Sequence, residues 1–468
     1  MMNYTQKLLI VSILFAVCFI MFSCTVVHVQ KRDDIQEKLP EQYTCAKIIA
    51  SDCRLFWNQS FPSESLQSDV QNLHKNNFEI EAARARIKQA AAAYGIAKSE
   101  ILPSIDVKAD FKSSRLEDAS TNRASTQNNI SFEAALIWEP DIWGRIRLRK
   151  EAEFLLFEEK QAMADMIALN MQSLLVETWI IYHGASMLEQ ILHEQLQTNK
   201  QLLDLTELRL AQGDGNALDI LQQSGLLASI QRKLPAVSSE KVHAANAYAV
   251  LMGKYPGSGY HPDGKWPILE RLSETSSPRN LMIDRPDLRA SFLALKSADH
   301  EAAAAIADRL PRLSIGLTYA ESGKTVSNIA DSTVFSFASG LLTPIFDAAR
   351  LKASSSLKQA QALEAVSILK QTMITAVREA EDAFSRENAI FDELILMQNE
   401  ISIAAETVDK AKLQYVNGKE SFLSVLVALT NLQTLQQEEI VLKQELLINR
   451  CRLLKALGAK SSKKHEIS

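Results

Sequence analysis

The sequence lacks several features by which enzymes, nucleic-acid-binding proteins and helical membrane proteins are recognised. Its formal net charge of −5 is not basic enough to suggest a nucleic-acid partner. It contains no CxxC or HExxH motif, and after residue 22 no apolar run reaches the roughly 18 residues of a membrane-spanning helix. Only 15 glycines occur among 468 residues, of which 47% are hydrophobic, so the chain can bury a large core. We therefore expect a folded protein that is not an enzyme and needs no cofactor or metal.

The N-terminus has the pattern of an export signal. Lys7 precedes an apolar run over residues 8–22, which predicts a signal peptide over residues 1–23. The segment Met21-Phe-Ser-Cys24 is similar to a bacterial lipoprotein cleavage site and predicts lipidation of Cys24; an ordinary cleaved signal is the alternative. Residues 24–65 show no sustained periodicity and predict a lipidated N-terminal arm. In an exported chain Cys45 and Cys53 lie close enough in sequence for a disulfide, with unpaired thiols as the alternative.

Two long stretches are nearly free of helix-breaking residues. Arg145–Leu210 contains no proline and one glycine, and Leu351–Tyr415 contains neither. Each predicts a helix of roughly 100 Å, since an α-helix rises about 1.5 Å per residue. Apolar residues recur along one seam of each run, which predicts packing against another helix. The first seam contains Leu192, Leu196, Leu203 and Leu210, and the second contains Leu394, Met397, Ile401, Ala404, Val408, Ala411 and Tyr415.

Two other regions alternate between apolar and polar residues, which predicts β-strands. The strands are expected at about 104–113 and 129–138, and again at about 312–320 and 332–342. Each pair forms a hairpin with one apolar face and one polar face. The first hairpin is expected to have a long polar tip over residues 115–127.

Fixed offsets between matching residues indicate an internal repeat. Pro103 and Pro311 differ by 208 positions, whereas Gly213 and Gly418 differ by 205. The chain therefore reads as two copies of helix, hairpin, long helix, turn and return helix. They occupy residues 66–253 and 281–460, with a connection over 254–280 and a polar tail over 461–468. The long helices are expected at about 142–211 and 347–416, and the return helices at 216–252, interrupted at Pro235, and at 421–457.

The hairpins suggest a barrel shared between chains. Strands of about 9–11 residues cross a bilayer when tilted, and an apolar face suits lipid. Four strands cannot close a barrel, and open sheet edges are not tolerated in hydrocarbon, so several chains would have to pool their strands. The alternative is a pair of soluble hairpins packed on a core.

Several segments, in their order and spacing, resemble the TolC-like outer-membrane efflux protein family and its OprM/NodT-type lipoprotein branch. They are Trp138-Glu-Pro-Asp-Ile-Trp-Gly-Arg145, Arg285-Pro-Asp-Leu288, Thr343-Pro-Ile-Phe-Asp347 and the Tyr415-x-x-Gly418 turn. The resemblance implies a mixed, mainly α fold. It also implies a homotrimer with a twelve-stranded β-barrel in outer-membrane lipid and an α-helical barrel in the periplasm.

The implied function is a passive conduit of a tripartite efflux pump that exports small molecules. Its implied partners are a periplasmic adaptor (membrane fusion) protein and an inner-membrane RND-type transporter. One alternative is the outer-membrane conduit of a type I protein secretion system. A second, from a different class, is an exported structural coiled-coil scaffold.

The family scheme also assigns roles to the two helix-to-helix turns. Their expected adaptor-docking residues are Gly213, Asp214, Gly215, Gly418, Lys419 and Glu420. Family members often carry acidic residues after the second turn glycine, but no carboxylate occurs here between Ser421 and Val427. Asp219 is the candidate for a charged gate ring, and a solvated acid favoured by the helix dipole is the alternative. Ser424 and Val427 complete the constriction candidates, with apolar closure by Val425 or Val427 as a hypothesis.

Overall fold

The computed structural model describes residues 29–30, 40–45, 56–118, 123–272 and 277–459. The predicted signal peptide, Cys24, Cys53 and the polar tail lie outside these residues. The chain forms two compact units. The sheet unit consists of the described residues within 1–33, 86–160 and 290–369, and the helical unit of those within 34–85, 161–289 and 370–468.

The sheet unit contains one four-stranded antiparallel sheet. Its strands are β1 (Ser104–Asp118), β2 (Arg123–Trp138), β3 (Arg312–Gly323) and β4 (Ser332–Leu342). They lie side by side in the order β1-β2-β3-β4, so β2 and β3 join the two hairpins. Among the described strands, β1 and β4 are the edges of the sheet.

The strand register places the alternating apolar residues on one face. Ile105 pairs with Leu136, Leu136 with Leu317, and Leu317 with Phe337, so this row of apolar side chains crosses all four strands. The opposite face differs between the hairpins. In β1 it carries Asp106, Lys108, Asp110 and Lys112, whereas in β3 it carries Ser314, Gly316, Thr318 and Ala320. The predicted two-faced hairpins are therefore present and share one sheet.

The first hairpin is longer than its hydrophobic pattern indicated. β1 continues to Asp118 and β2 begins at Arg123, and the pairing extends from Ser104↔Ile137 to Asp118↔Arg123. The expected polar tip over residues 115–127 is thus largely paired strand. Backbone hydrogen bonds continue the ladder even where no apolar residue marks one face.

Nine helices occur in the described residues. They are α1 (Trp57–Ser60), α2 (Glu64–Asn76), α3 (Phe78–Ser99), α4 (Arg145–Ala211), α5 (Ala217–Leu251), α6 (Leu281–Asp284), α7 (Pro286–Ala307), α8 (Arg350–Val416) and α9 (Phe422–Ala456). Short 3₁₀ segments lie at Pro278–Asn280 and Val326–Asp331. α4 and α8 have 67 residues each, and α5 and α9 have 35 each, so the second copy reproduces the lengths of the first. Within the part of the chain that the structure describes, no helix combines the length and apolar character needed to cross a membrane.

The two long helices differ in the composition of their packing seams. In α8 the predicted seam is buried or half-buried along its whole length. In α4 the leucine seam is only partly right, because Leu203 is half-buried and Leu210 is exposed. Buried positions there alternate at spacings of three and four through Leu192, Gln195, Asn199, Leu202 and Thr206. Three of these five residues are polar, so the spacing of the leucines alone does not indicate the buried seam.

Pro235 does not interrupt the first return helix. α5 runs from Ala217 to Leu251 with Pro235 inside it. Proline removes one helical N–H, which frees the carbonyl of Gln231. Because Pro235 and Gln231 are both exposed, water can reach this part of the helix and satisfy the freed carbonyl.

Matching contacts in the helical unit fasten the end of each return helix to the start of a shorter helix. The Asn77 side chain donates from Nδ2 to the carbonyl oxygen of Leu251 at 2.9 Å. Arg285 Nη1 donates to the carbonyl oxygen of Ala456, also at 2.9 Å. The two acceptors are 205 positions apart, so the contacts, which we call the clasps, are repeat equivalents. The first clasp is neutral, whereas Arg285 in the second also pairs with Asp287 and with another carboxylate on α8.

Candidate functional site

Both helix-to-helix turns have the same backbone geometry. In the α4–α5 turn (residues 212–216), the N–H of Asp214 donates to the carbonyl of Arg209 and that of Gly213 to the carbonyl of Leu210. In the α8–α9 turn (residues 417–421), Lys419 and Gly418 repeat these bonds. This is the Schellman motif, whose left-handed residue favours glycine. The φ angles of Gly213 and Gly418 are +88° and +69°.

The six candidate docking residues are presented to solvent by these turns. All are exposed except Gly215, which is half-buried against the backbone at the end of α4. A Cβ at Gly215 would approach the Leu210 nitrogen to 2.5 Å, so the turn requires glycine here. The structure therefore places these residues at accessible helix ends, and their role in docking stays a prediction.

A small polar network connects the two turns. Arg209 Nη1 donates to the carbonyl oxygen of Tyr415 at 3.1 Å, and its guanidinium lies 4.4 Å from the centre of the Tyr415 ring. Asp219, in the first turn of α5, is half-buried near the Tyr415 side chain. Burial raises the pKa of the Tyr415 phenol, Arg209 lowers it, and the nearby Asp219 carboxylate raises it. Asp219 thus has a specific partner on α8.

The other constriction candidates occupy different environments. Ser424 is half-buried and donates from Oγ to Glu420 Oε2 at 3.0 Å, within α9 and its preceding turn. Val427 is 61% exposed. Val425 is fully buried in a cluster with Tyr415 and Phe422, so it presents no surface to an aperture. The structure brings together Asp219 and Tyr415, whereas Val427 remains an exposed side chain.

An N-terminal contact was missed by the sequence reasoning. Residues 40–45, which we call the arm segment, pack on α8. The backbone N–H groups of Thr44 and Cys45 both donate to the Glu381 carboxylate, and the buried Tyr43 ring lies 5.3 Å from that of Phe384. Although burial opposes it, these backbone hydrogen bonds lower the pKa of the Glu381 carboxyl.

This part of the chain has no periodic pattern, so nothing in the sequence signalled the contact. Cys45 is half-buried there. Cys53 lies outside the described residues, and a disulfide between them stays a prediction.

The family model that matches the chain settles its affiliation. The model described as "Outer membrane efflux protein" matches residues 70–254 and 278–459, which cover both copies of the repeat. The chain belongs to this family. It is an outer-membrane efflux protein, as its resemblance implied, and the predicted family and outer-membrane location are confirmed.

Curated relatives match over most of their length. The pyoverdine export outer membrane protein OpmQ of Pseudomonas putida is 26% identical over 416 residues, covering 86% of this chain and 87% of the relative. The cation efflux system protein CusC of Escherichia coli K12 is 25% identical over 414 residues, covering 86% and 88%. The outer membrane protein OprJ of Pseudomonas aeruginosa is 26% identical over 383 residues, covering 80% of each chain. All three names describe outer-membrane or efflux proteins.

Solved structures confirm the mainly helical fold with its small antiparallel sheet. The outer-membrane channel OprN superposes with a TM-score of 0.82 at 22% identity, covering 92% of this chain and 97% of OprN. A structure of CusC gives a TM-score of 0.84 at 21% identity, covering 92% and 98%. The MtrE channel of Neisseria gonorrhoeae gives 0.82 at 19% identity, covering 94% and 100%.

Proposed function

We propose that the chain is one subunit of a homotrimeric conduit through which a tripartite pump exports small molecules. Its sheet would supply one third of a twelve-stranded barrel, and its helices one third of a periplasmic tunnel. A periplasmic adaptor protein and an inner-membrane RND-type transporter complete the proposed pump. The four-stranded sheet with one apolar face and two edge strands carries this proposal.

The edges of the sheet support a barrel shared between copies of the chain, and the number three is what the family resemblance implies. β1 and β4 each pair with one described strand, and unpaired backbone groups are not tolerated in hydrocarbon. Strand direction alternates across the sheet, so β4 of one copy and β1 of the next would meet antiparallel. Three copies would then close without a parallel pair, and twelve strands lie within the range seen for such barrels.

Cysteine crosslinking across the proposed subunit boundary tests the trimer. In a background that keeps Cys24 and lacks the other native cysteines, Val107→Cys on β1 is combined in turn with Phe335→Cys or Phe337→Cys on β4. At least one pair should give covalent dimers and trimers in denaturing gels of oxidised outer membranes. The matched control is Ala134→Cys with Tyr319→Cys, which face each other across β2 and β3 within one chain. The trimer is contradicted if this control pair oxidises while no β1–β4 pair yields a species larger than a monomer.

The names of the relatives bear on substrate class and partner. OpmQ is named for pyoverdine export and CusC for cation efflux, although both match this chain over similar lengths and at similar identity. We infer that the conduit itself is permissive and that the inner-membrane transporter selects the small molecule. These names favour efflux over a type I secretion conduit or a coiled-coil scaffold. Site-specific photo-crosslinking from Lys419 should capture the adaptor in cells; capture of only an ABC-type secretion adaptor would favour type I secretion.

We also propose that Asp219 contributes to the periplasmic constriction. The Asp219 carboxylate lies near Tyr415, where the first turn of α5 meets the end of α8. A trimer would therefore contain three such carboxylates. Asp219→Ala should raise the conductance of the purified protein in planar bilayers and reduce its cation selectivity, whereas Asp214→Ala, in the exposed turn, serves as the control. Unchanged conductance and selectivity would rule out this assignment.

Lipid attachment at Cys24 forms part of the proposal, supported by the cleavage-site pattern. Native mass spectrometry of the detergent-extracted protein should show a trimer whose N-terminal peptide carries acyl mass. An unmodified N-terminal peptide beginning at another residue would indicate ordinary signal cleavage and leave the conduit proposal intact.

A further inference from the structure

Two contacts within the chain fasten the long helix of the first repeat to the short helix of the second. Arg289 Nη2 on α7 lies 3.0 Å from Asp165 Oδ2 on α4. Nearer to the sheet, the Ser297 hydroxyl on α7 donates to the carbonyl oxygen of Ala152 on α4 at 3.0 Å. Matching positions on α4 and α8 differ by 205, and those on α3 and α7 differ by 208. Each contact between α4 and α7 therefore has a counterpart in α8 and α3.

The counterpart of the ion pair keeps opposite charges but exchanges their places. Asp165 on α4 matches Lys370 on α8, and Arg289 on α7 matches Glu81 on α3. Both counterparts are exposed, and neither makes an ion pair among the described residues. Had only one sign changed between the repeats, two like charges would stand at matching positions. The exchange of both signs is what a contact between α8 and α3 would require.

Apolar residues on the same four helices differ in exposure between the repeats. Ala152 on α4 and Ala304 on α7 are 0% and 1% exposed. Their counterparts, Leu357 on α8 and Ile96 on α3, are larger and are 58% and 68% exposed. Exposed apolar side chains together with complementary charges are typical of a surface that binds another protein. The faces of α3 and α8 thus lack the cover that α7 and α4 give each other.

We propose that α8 of one copy packs against α3 of the next copy as α4 packs against α7 within the chain, with Lys370 paired to Glu81 across this boundary. The inference rests on the proposed assembly of identical copies and names the surfaces and the ion pair that join them. Its direction agrees with the sheet. In the chain, β2 of the first repeat pairs with β3 of the second, and β4 and β1 are the equivalent strands left at the edges.

The charges around the two residues leave this pair attractive. Within four positions of Lys370, α8 carries no other charged residue. Within four positions of Glu81, Glu79 and Arg84 carry opposite charges, so the net charge of that stretch is negative. Arg84 Nη2 donates to the carbonyl oxygen of His74 at 2.7 Å and is thereby directed to another group. Because both side chains of the pair are long and exposed, it determines which faces meet more than it adds affinity.

Carbodiimide crosslinking tests the ion pair in the native protein, since this reagent joins a lysine amine to a carboxylate in contact with it. In isolated outer membranes it should give covalent dimers and trimers in denaturing gels. Mass spectrometry of these bands should identify a peptide that links Lys370 to Glu81, and Lys370→Gln should abolish it. Lys358 and Glu301, whose Nζ and Oε2 lie 3.2 Å apart within one chain, provide the positive control in the monomer band.

Charge reversal tests whether the pair contributes to assembly. Glu81→Lys or Lys370→Glu alone brings two like charges together and should speed trimer dissociation in dodecyl sulfate by about threefold, as for loss of an exposed ion pair. The double variant restores opposite charges, in the arrangement of Asp165 and Arg289, and should dissociate at the wild-type rate. Glu79→Lys makes the same charge change two positions away, on a different side of α3, and should have no effect.

Native mass spectrometry of the detergent-extracted wild type separates this inference from the proposed assembly. A wild-type monomer would contradict both. If the wild type is a trimer, the inference alone is overturned when the control pair is crosslinked but no Lys370–Glu81 peptide occurs in the covalent dimers. It is also overturned if the double variant dissociates as fast as the faster of the two single variants.

Discussion

A buried ion pair between α8 and α9 should be far more sensitive to loss of one partner than a neighbouring exposed pair of the same geometry. Arg450 donates from Nε and Nη2 to the two carboxylate oxygens of Glu387 at 2.9 and 2.8 Å, and from Nη2 to the carbonyl of Glu270. The two side chains are only 4% and 5% exposed. Arg450→Met would therefore strand a buried carboxylate.

The expected cost of Arg450→Met is about 3–5 kcal/mol of unfolding free energy, because the remaining charge loses its partner but stays away from water. Replacing both members, with Arg450→Met and Glu387→Leu, should cost less than either single change, since no uncompensated charge remains. The preceding residue on α8, Arg386, provides the control. Arg386 makes a bidentate ion pair with Glu445 in the same way, and both hydrogen bonds are 2.8 Å long. These two side chains are 43% and 44% exposed. Arg386→Met should cost no more than about 1 kcal/mol.

Unfolding by guanidinium chloride, followed by circular dichroism at 222 nm in detergent, measures these differences. Where unfolding is irreversible, unfolding rates at matched denaturant give the same ranking. Two results would refute the reasoning: equal costs for the buried and exposed single variants, or a double variant whose cost is the sum of its two single changes.

Three further predictions concern backbone conformation and the arm segment. Gly458 has a φ of +67°, and a Cβ there would lie 2.4 Å from the carbonyl oxygen of Asp284. Gly458→Ala should therefore lower the free energy of unfolding, measured with guanidinium chloride as above, by at least about 1–2 kcal/mol. Ala349 has a φ of +65°, a conformation that costs a non-glycine residue about 1–2 kcal/mol; Ala349→Gly should therefore stabilise the protein by up to about 1 kcal/mol, whereas Ala360→Gly, in the exposed interior of α8, should destabilise it by about 1 kcal/mol. Folding lowers the pKa of Glu381, so its contribution to stability is present above the unfolded pKa of about 4.3 and is lost as pH falls through the folded pKa. Hydrogen exchange should therefore show that the arm segment loses protection below about pH 4. Glu381→Gln should remove that pH dependence.

The fold was predictable wherever side-chain periodicity reports backbone geometry. Alternation in Ile105, Val107, Ala109 and Phe111 predicted a two-faced strand, and the register places these residues opposite apolar partners on β2. The heptad spacing of α8 likewise predicted its buried face. Both patterns arise because one side of the element is apolar along its whole length.

Prediction failed where polar side chains occupy structured positions. The outer part of the first hairpin has no apolar face, so its pairing depends on backbone hydrogen bonds that the sequence does not display. In α4 the buried seam includes Gln195 and Asn199. Their side-chain amides donate to the backbone carbonyls of Gln433 and Gln195, so these polar residues can be buried although an apolar pattern does not include them. The proximity of Asp219 to Tyr415 was also missed, because the two residues are far apart in sequence. They are 196 positions apart, and only the folded turns bring them together.

The unequal polar faces of the two hairpins show what an internal duplication makes possible. From Asp106 to Lys112 the polar face of β1 carries alternating acids and lysines, whereas from Ser314 to Ala320 the same face of β3, which begins with Arg312, carries small or hydroxyl-bearing residues. In an assembly of identical single repeats, every hairpin would carry the same acids and lysines. In a duplicated gene, each half can mutate alone while the backbone pairing of the other half is preserved. In this chain the charge on the polar face of one hairpin can therefore change while the strand pairing of the other hairpin stays the same.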